Sequence, residues 1–171
     1  MRKRAPFVAA LLAVTCSALL VAQTPALTQH VYADDGFVIA TPTLPVFDTS
    51  TQTTALGTVQ MHGYSVDLGN DSGFVVYAAD FKRSTGVSVQ GGKEGFLANL
   101  KARVLTEKAI TLAGAPGIEF EWESAVYHGR AQMFFVGGIL FQLLSIAPVN
   151  QPIPPVADGM FRSFRFLQSA A

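Results

Sequence analysis

Cysteine is nearly absent from this chain of 171 residues, and the single one, Cys16, sits inside an apolar N-terminal run. Past that run there is no disulfide framework, no thiol nucleophile and no cysteine metal site. Histidine is scarce, with three in all. His62 and His128 lie in the body of the chain, and neither has a partner at a metal-ligand spacing such as H-x-x-x-H, whereas a metal site needs about three or four converging ligands. An excess of basic charge is missing too, since 12 Lys and Arg balance 12 Asp and Glu. A nucleic-acid binder presents a basic face, so that class is set aside. There is no G-x-S-x-G elbow, no phosphate-cradling glycine pattern around Gly86–Gly92 or Leu112–Gly117, no heptad and no internal repeat.

The first 33 residues carry the plainest message. Met1-Arg2-Lys3-Arg4 is a basic head, Ala5 to Ala22 is uncharged and mostly apolar, and a polar stretch of small residues follows. That is the layout of a secretory signal, so residues 1–33 are read as a signal peptide cleaved between residues 22 and 33. Three positions suit cleavage: after Ala22, after Ala26 and after Ala33. The run approaches the roughly 20 apolar residues of a spanning helix, so the alternative is an uncleaved anchor, which also places the domain outside. Cys16 follows Ala13-Val14-Thr15, a poor lipidation context, and reads as a tolerated signal residue. Removing 33 residues leaves 138, enough for one domain with a core. That part keeps nine basic against twelve acidic residues, a formal charge of −3. The expected product is an exported, periplasmic or extracellular domain over 34–171, held together by its core alone.

Along that domain, Gly36–Ala40 predicts a first strand and Thr41–Leu56 an exposed loop. Val59 and Met61 alternate in one phase and Tyr64, Val66 and Leu68 in the other, which predicts a β-bulge at His62-Gly63. After the turn at Asn70–Gly73, Phe74–Phe81 is apolar on both faces and reads as a covered central strand. Lys82–Gly92 predicts a polar loop and Lys93–Val104 a helix, with Phe96, Leu97, Leu100 and Val104 on one face; Glu94, Lys101 and Arg103 suit its dipole. Strands follow at 105–112, 118–123, 130–136 and 139–147, the last again apolar on both faces, with turns at 113–117, at 126–129 (where His128 is placed) and at Gly137-Gly138. Val156, Met160 and Phe164 suggest a final short helix, and 164–167 an edge strand. Consecutive strands joined by hairpins predict an α+β fold: an antiparallel β-sheet of about six or seven strands with helices packed on it.

From 110 to 166 the chain resembles the PsbP-like superfamily of α/β sandwich domains, and within it exported bacterial members of unknown function. The resemblance rests on Ile110-Thr111-Leu112, Gly114, Pro116-Gly117, Glu119 and Gly129-Arg130. It continues through Gly137-Gly138 ahead of the Leu140–Ile146 strand and ends at Phe161-Arg162-Ser163-Phe164. These are turn and core positions. The resemblance therefore implies a fold, and a superfamily of mostly binding proteins with no shared catalytic motif; the subunit that lends its name binds a membrane protein complex and helps it retain ions. The chain differs from that photosynthetic protein in its simple export signal and its lack of a lysine-rich docking segment.

The sharpest surface feature is a carboxylate ridge. Glu119, Glu121 and Glu123 alternate with Ile118, Phe120 and Trp122, and Arg130 stands on the returning strand. Same-face residues lie about 7 Å apart along a strand, too wide for one ion to bridge all three. The ridge is either a binding surface for a basic partner or a solvated sheet face balanced by Arg130. Trp122 alternates into the core, which argues against sugar stacking. Asn70-Asp71-Ser72 is a formal glycosylation acceptor and, more simply, a turn. The sequence thus predicts a non-enzymatic binding or interaction domain for a protein or cell-envelope component, with no cofactor, using the 119–130 hairpin and the 82–92 loop, and meeting membrane only through an uncleaved N-terminal segment. The alternative is a small-ligand or ion-binding domain with a pocket between sheet and helix; a hydrolase is a distant third.

Overall fold

The computed structural model describes residues 25–54 and 56–167. The whole apolar run read as a signal, Ala5 to Ala22, therefore lies outside the described residues. The described chain forms a seven-stranded antiparallel sheet in the order β3-β4-β5-β9-β8-β7-β6 and a three-stranded sheet in the order β1-β2-β10. The strands are β1 (Thr28–Tyr32), β2 (Phe37–Thr41), β3 (Val46–Thr54), β4 (Gly57–Gly69) and β5 (Ser72–Asp80). They continue with β6 (Arg103–Leu112), β7 (Ala115–Glu123), β8 (Tyr127–Val136), β9 (Ile139–Pro148) and β10 (Arg165–Phe166). Helix α1 (Val89–Leu100) lies between β5 and β6, and α2 (Val156–Ser163) between β9 and β10. No helix among the described residues is long and apolar enough to cross a membrane.

The two strands that read as apolar on both faces, β5 and β9, pair with each other at the centre of the large sheet. Phe74, Val76, Phe141 and Leu143 point to one face, where they meet Phe37 and Ile39 of β2 and Met160, Phe161 and Phe164 around α2. Ring pairs join the layers, with Phe74 4.8 Å from Phe161 and Phe37 6.1 Å from Phe141. Val75, Ala79, Leu140 and Leu144 point to the opposite face. There Phe96 of α1 sets its ring 5.2 Å from Trp122 of β7 and 6.0 Å from Phe120. Lys93 of α1, only 7% exposed, ties the helix to β6 through Glu107 at 2.7 Å.

Several local expectations are corrected. Residues 46–54, read as loop, form edge strand β3, whose nine residues pair with β4 in unbroken register; it is exposed on both faces, so no hydrophobic alternation marks it. The β-bulge expected at His62-Gly63 is absent, and the irregularity lies between Asp67 and Gly69. The phase change has another cause. Val59 belongs to the core on the α1 face and Tyr64 and Val66 to the core on the α2 face, so one straight strand serves two layers. Gly63 stands where the α1 face is filled by the Tyr77 ring, 3.0 Å from where a Cβ would sit.

The helix begins four residues earlier than its periodicity suggests. Ser88 caps it by accepting from the Gly91 N–H at 3.0 Å, and Lys101 ends it in the left-handed region at φ 50°. Val104 therefore belongs to β6, and neither end of the helix carries the dipole-matched charges expected. The 113–117 turn shrinks to Ala113-Gly114, both at positive φ, because β7 already starts at Ala115. His128 lies in β8, where its Nε2 meets the Gln151 carbonyl oxygen at 2.8 Å. Finally, β1 falls inside the segment read as signal, and the single expected sheet is joined by a second, smaller one.

Candidate functional site

The carboxylate ridge forms as a ridge, but its charge is largely spent. Glu119 accepts from Lys108 at 2.7 Å and from Gln132 at 2.6 Å, and Glu123 accepts from Arg103 at 2.9 Å. Burial works to raise the Glu119 carboxyl, but the Lys108 and Gln132 hydrogen bonds and the Arg130 charge outweigh it and hold the group below the usual range. Arg130, expected to balance the ridge, turns instead to Asp158 of α2 at 2.6 Å and lies over the Phe161 ring at 4.3 Å. Exposed Glu121 is the one ridge carboxylate without a hydrogen bond or ion pair among the described residues. The two strands bring the four residues together, but Glu119, Glu123 and Arg130 each bond to partners outside the four, and they form no single convergent site.

A second polar cluster was not foreseen. Asp35, in the β1–β2 turn and only 7% exposed, accepts from the Tyr64 hydroxyl at 2.5 Å and faces His62 Nδ1 at 2.8 and 2.9 Å. Burial first, then the hydrogen bond to Asp35 and the carboxylates nearby, push the Tyr64 hydroxyl far above its ordinary pKa. A separation of 27 positions between Asp35 and His62 hides this contact from any spacing rule. Among the described residues no serine or threonine hydroxyl bonds to His62, so the acid–histidine pair lacks the nucleophile of a triad. No three His, Cys, Asp or Glu converge as metal ligands among the described residues either.

The concave feature lies on the α1 face. Because α1 rests on β7 and β8, the α1 face of β4, β5 and β9 is left as the floor of a cleft. Its inner chamber has a volume of about 560 Å³. Val59, Met61, Ala79 and Leu140 line the apolar floor, and Gly91, Gly92 and Gly95 form the helix wall. At Gly92 an added Cβ would come within 2.7 Å of Leu140, so the glycine sets how closely helix and sheet approach. At Gly95 an added Cβ would meet nothing within 4 Å, so that glycine borders open space. Gln52, Gln142 and Asn99 supply polar groups, and none of the residues lining the chamber is charged.

Tyr77, Leu100 and Ile146 are shared with a wider, more open groove of about 800 Å³ that runs on past Trp122, Ser124 and Tyr127. Burial, with the Asp48 charge, raises the Tyr77 hydroxyl. Of the two segments proposed from sequence as a binding surface, 82–92 contributes Gly86, Val87, Ser88, Gly91 and Gly92 to the chamber, while the 119–130 hairpin reaches only the outer groove.

No protein-family model matches this sequence, and no curated protein sequence does. Among solved structures the fold is similar to that of cyanobacterial PsbP (CyanoP) from Synechocystis sp. PCC 6803, known from a solution structure. The TM-score is 0.56 at 13% sequence identity, with 88% of this chain and 98% of that chain covered. The fold is PsbP-like.

Proposed function

We propose that this chain is an exported, non-catalytic binding domain, and that the cleft between α1 and the large sheet takes a small, mainly apolar, uncharged molecule. The observation that carries this reading is the chamber itself. Its volume lies within the range of small-molecule sites, about 300–1,000 Å³. Its floor is aliphatic and its polar groups are neutral amides and hydroxyls. Burying a charged group there would leave it without a counter-charge, at a cost of several kcal/mol (order of magnitude), whereas each buried methylene contributes about 0.8 kcal/mol. Among the described residues no serine or threonine hydroxyl bonds to His62 of the Asp35–His62 pair, and Glu119 and Glu123 are already paired. Neither therefore competes with the cleft as the site. Export rests on the basic head and apolar run of residues 1–22.

The test uses Trp122, the only tryptophan, which touches Phe96 and lines the outer groove. The purified full chain is titrated with the neutral apolar dye Nile red, following dye emission and energy transfer from Trp122. Saturable micromolar binding with a raised melting temperature is expected. Gly95→Leu fills the open space beside the helix and favours the helical backbone by up to about 1 kcal/mol. It should keep the fold and weaken binding at least about tenfold, or about 1.4 kcal/mol. Equal binding by Gly95→Leu, or none by the native chain, would reject the cleft as the site.

A further inference from the structure

The outer edge of β3 is the least defended surface in the described molecule, and its sequence is close to its own complement. Sheet edges offer unpaired backbone N–H and C=O groups, and proteins blunt them with lysine, proline, bulges or very short strands. The opposite edge, β6, has such devices. Arg103, Glu107 and Lys108 are engaged in ion pairs, and its register breaks between Val104 and Thr106. By contrast β3 (Val46-Phe47-Asp48-Thr49-Ser50-Thr51-Gln52-Thr53-Thr54) carries one charge, no proline, glycine or lysine, and no bulge across nine residues. Eight of the nine are exposed. Among the described residues no strand pairs with its outer edge. Val46 and Phe47 are 68% and 54% exposed, beside Leu44 at 73%.

We propose that a second copy of this chain covers that edge, β3 pairing with β3 antiparallel about a two-fold axis at Ser50. An isologous contact requires a patch complementary to itself, and the strand meets that requirement residue by residue. With Ser50 opposite Ser50, Thr49 of one copy faces Thr51 of the other, Asp48 faces Gln52, Phe47 faces Thr53 and Val46 faces Thr54. The single carboxylate thus meets an amide rather than its own copy, avoiding the like-charge pair that destabilises facing strands. Threonine pairs of this kind are favourable cross-strand neighbours. The two seven-stranded sheets become one continuous sheet. Gln52 and Thr54 point to the α1 face and line the ligand chamber, so pairing adds the other copy's Asp48 and Val46 to that wall without closing the cleft. The contact stands on the strand and does not depend on what the cleft binds.

The experiment uses the full chain with Cys16→Ser, which leaves no native thiol. Sedimentation velocity over a concentration series should show a reversible monomer–dimer equilibrium. Thr49→Lys with Thr51→Lys places lysine opposite lysine twice, both at exposed positions, and should weaken the dimer at least about tenfold with an unchanged melting temperature. The matching Thr49→Glu with Thr51→Glu chain should restore the dimer only when mixed with the lysine variant. Facing residues in an antiparallel pair lie about 4.5–5.5 Å apart between Cα atoms, inside the disulfide window. Ser50→Cys should therefore cross-link on mild oxidation and Thr53→Cys should not. A chain that stays monomeric throughout, a dimer indifferent to the lysine pair, or cross-linking through position 53 in preference to position 50 would each overturn the proposal, whether or not a foreign strand is later found on that edge.

Discussion

Asp35 joins two parts of the molecule through one side chain, its carboxylate holding Tyr64 and His62 of β4 against the β1–β2 turn. Asp35→Ala would leave the Tyr64 hydroxyl buried without an acceptor, and such an orphan costs about 1–3 kcal/mol. The expected outcome in urea unfolding is a loss of about 2 kcal/mol, largely absent when Tyr64→Phe is already present. A loss that is the same in both backgrounds would separate Asp35 from Tyr64. Glu119 gives a prediction in pH. Its folded-state pKa lies below its unfolded value, so its contribution is present above the unfolded pKa and is lost as pH falls through the folded one. Glu119→Gln should therefore cost roughly 1 kcal/mol or less near neutrality, and that difference should vanish in acid. A gap that persists at low pH would assign the loss to packing. Two glycines of the PsbP-like pattern also acquire reasons. A Cβ at Gly117 would sit 2.4 Å from the Phe134 ring, and one at Gly129 only 1.8 Å from the Ser145 carbonyl oxygen. Neither reason can be read from the glycine itself.

Among the secondary-structure elements, β1 bears directly on export. All five of its residues pair with β2, and Leu27 just before it packs on the core and against the position of Gly159. Cleavage after Ala33 would strip a strand from the small sheet and uncover Phe37, whereas cleavage after Ala22 or Ala26 leaves the sheet whole. If the chain is exported as proposed, N-terminal sequencing of the processed protein should therefore find Gln23 or Leu27 first. Asp34 as the first residue would show that β1 is dispensable, and an intact Met1 would favour the anchor. Amphipathic and doubly apolar strands such as β5, β7 and β9 were legible because burial imposes its period on the sequence. β3 was not, because an edge strand exposed on both sides has no hydrophobic period to show, and β1 was not, because it lies inside the segment read as signal and only Tyr32 at its end packs on the core. The helix was displaced for a related reason. Gly91 and Gly92 look like loop, yet the Ser88 cap and the need for close approach at Leu140 put them inside α1.

For the molecule as a whole, its sequence alone determined the antiparallel α+β character, the central place of β5 and β9, the hairpins at Gly114 and Gly137-Gly138, and the likeness to PsbP-like domains. Each of these follows from local period or turn chemistry, which neighbours along the chain set between themselves. Tertiary structure decided what depends on residues far apart. It split the strands into two sheets, sent Arg130 to Asp158 rather than to the ridge, gathered Asp35, His62 and Tyr64, and opened the cleft by resting α1 mainly on β7 and β8. A cavity is what packing leaves unfilled, and no stretch of sequence records a volume bounded by four separate strands and a helix. The candidate cleft therefore had to be found in the fold, while the fold itself was largely written in the period of its apolar residues.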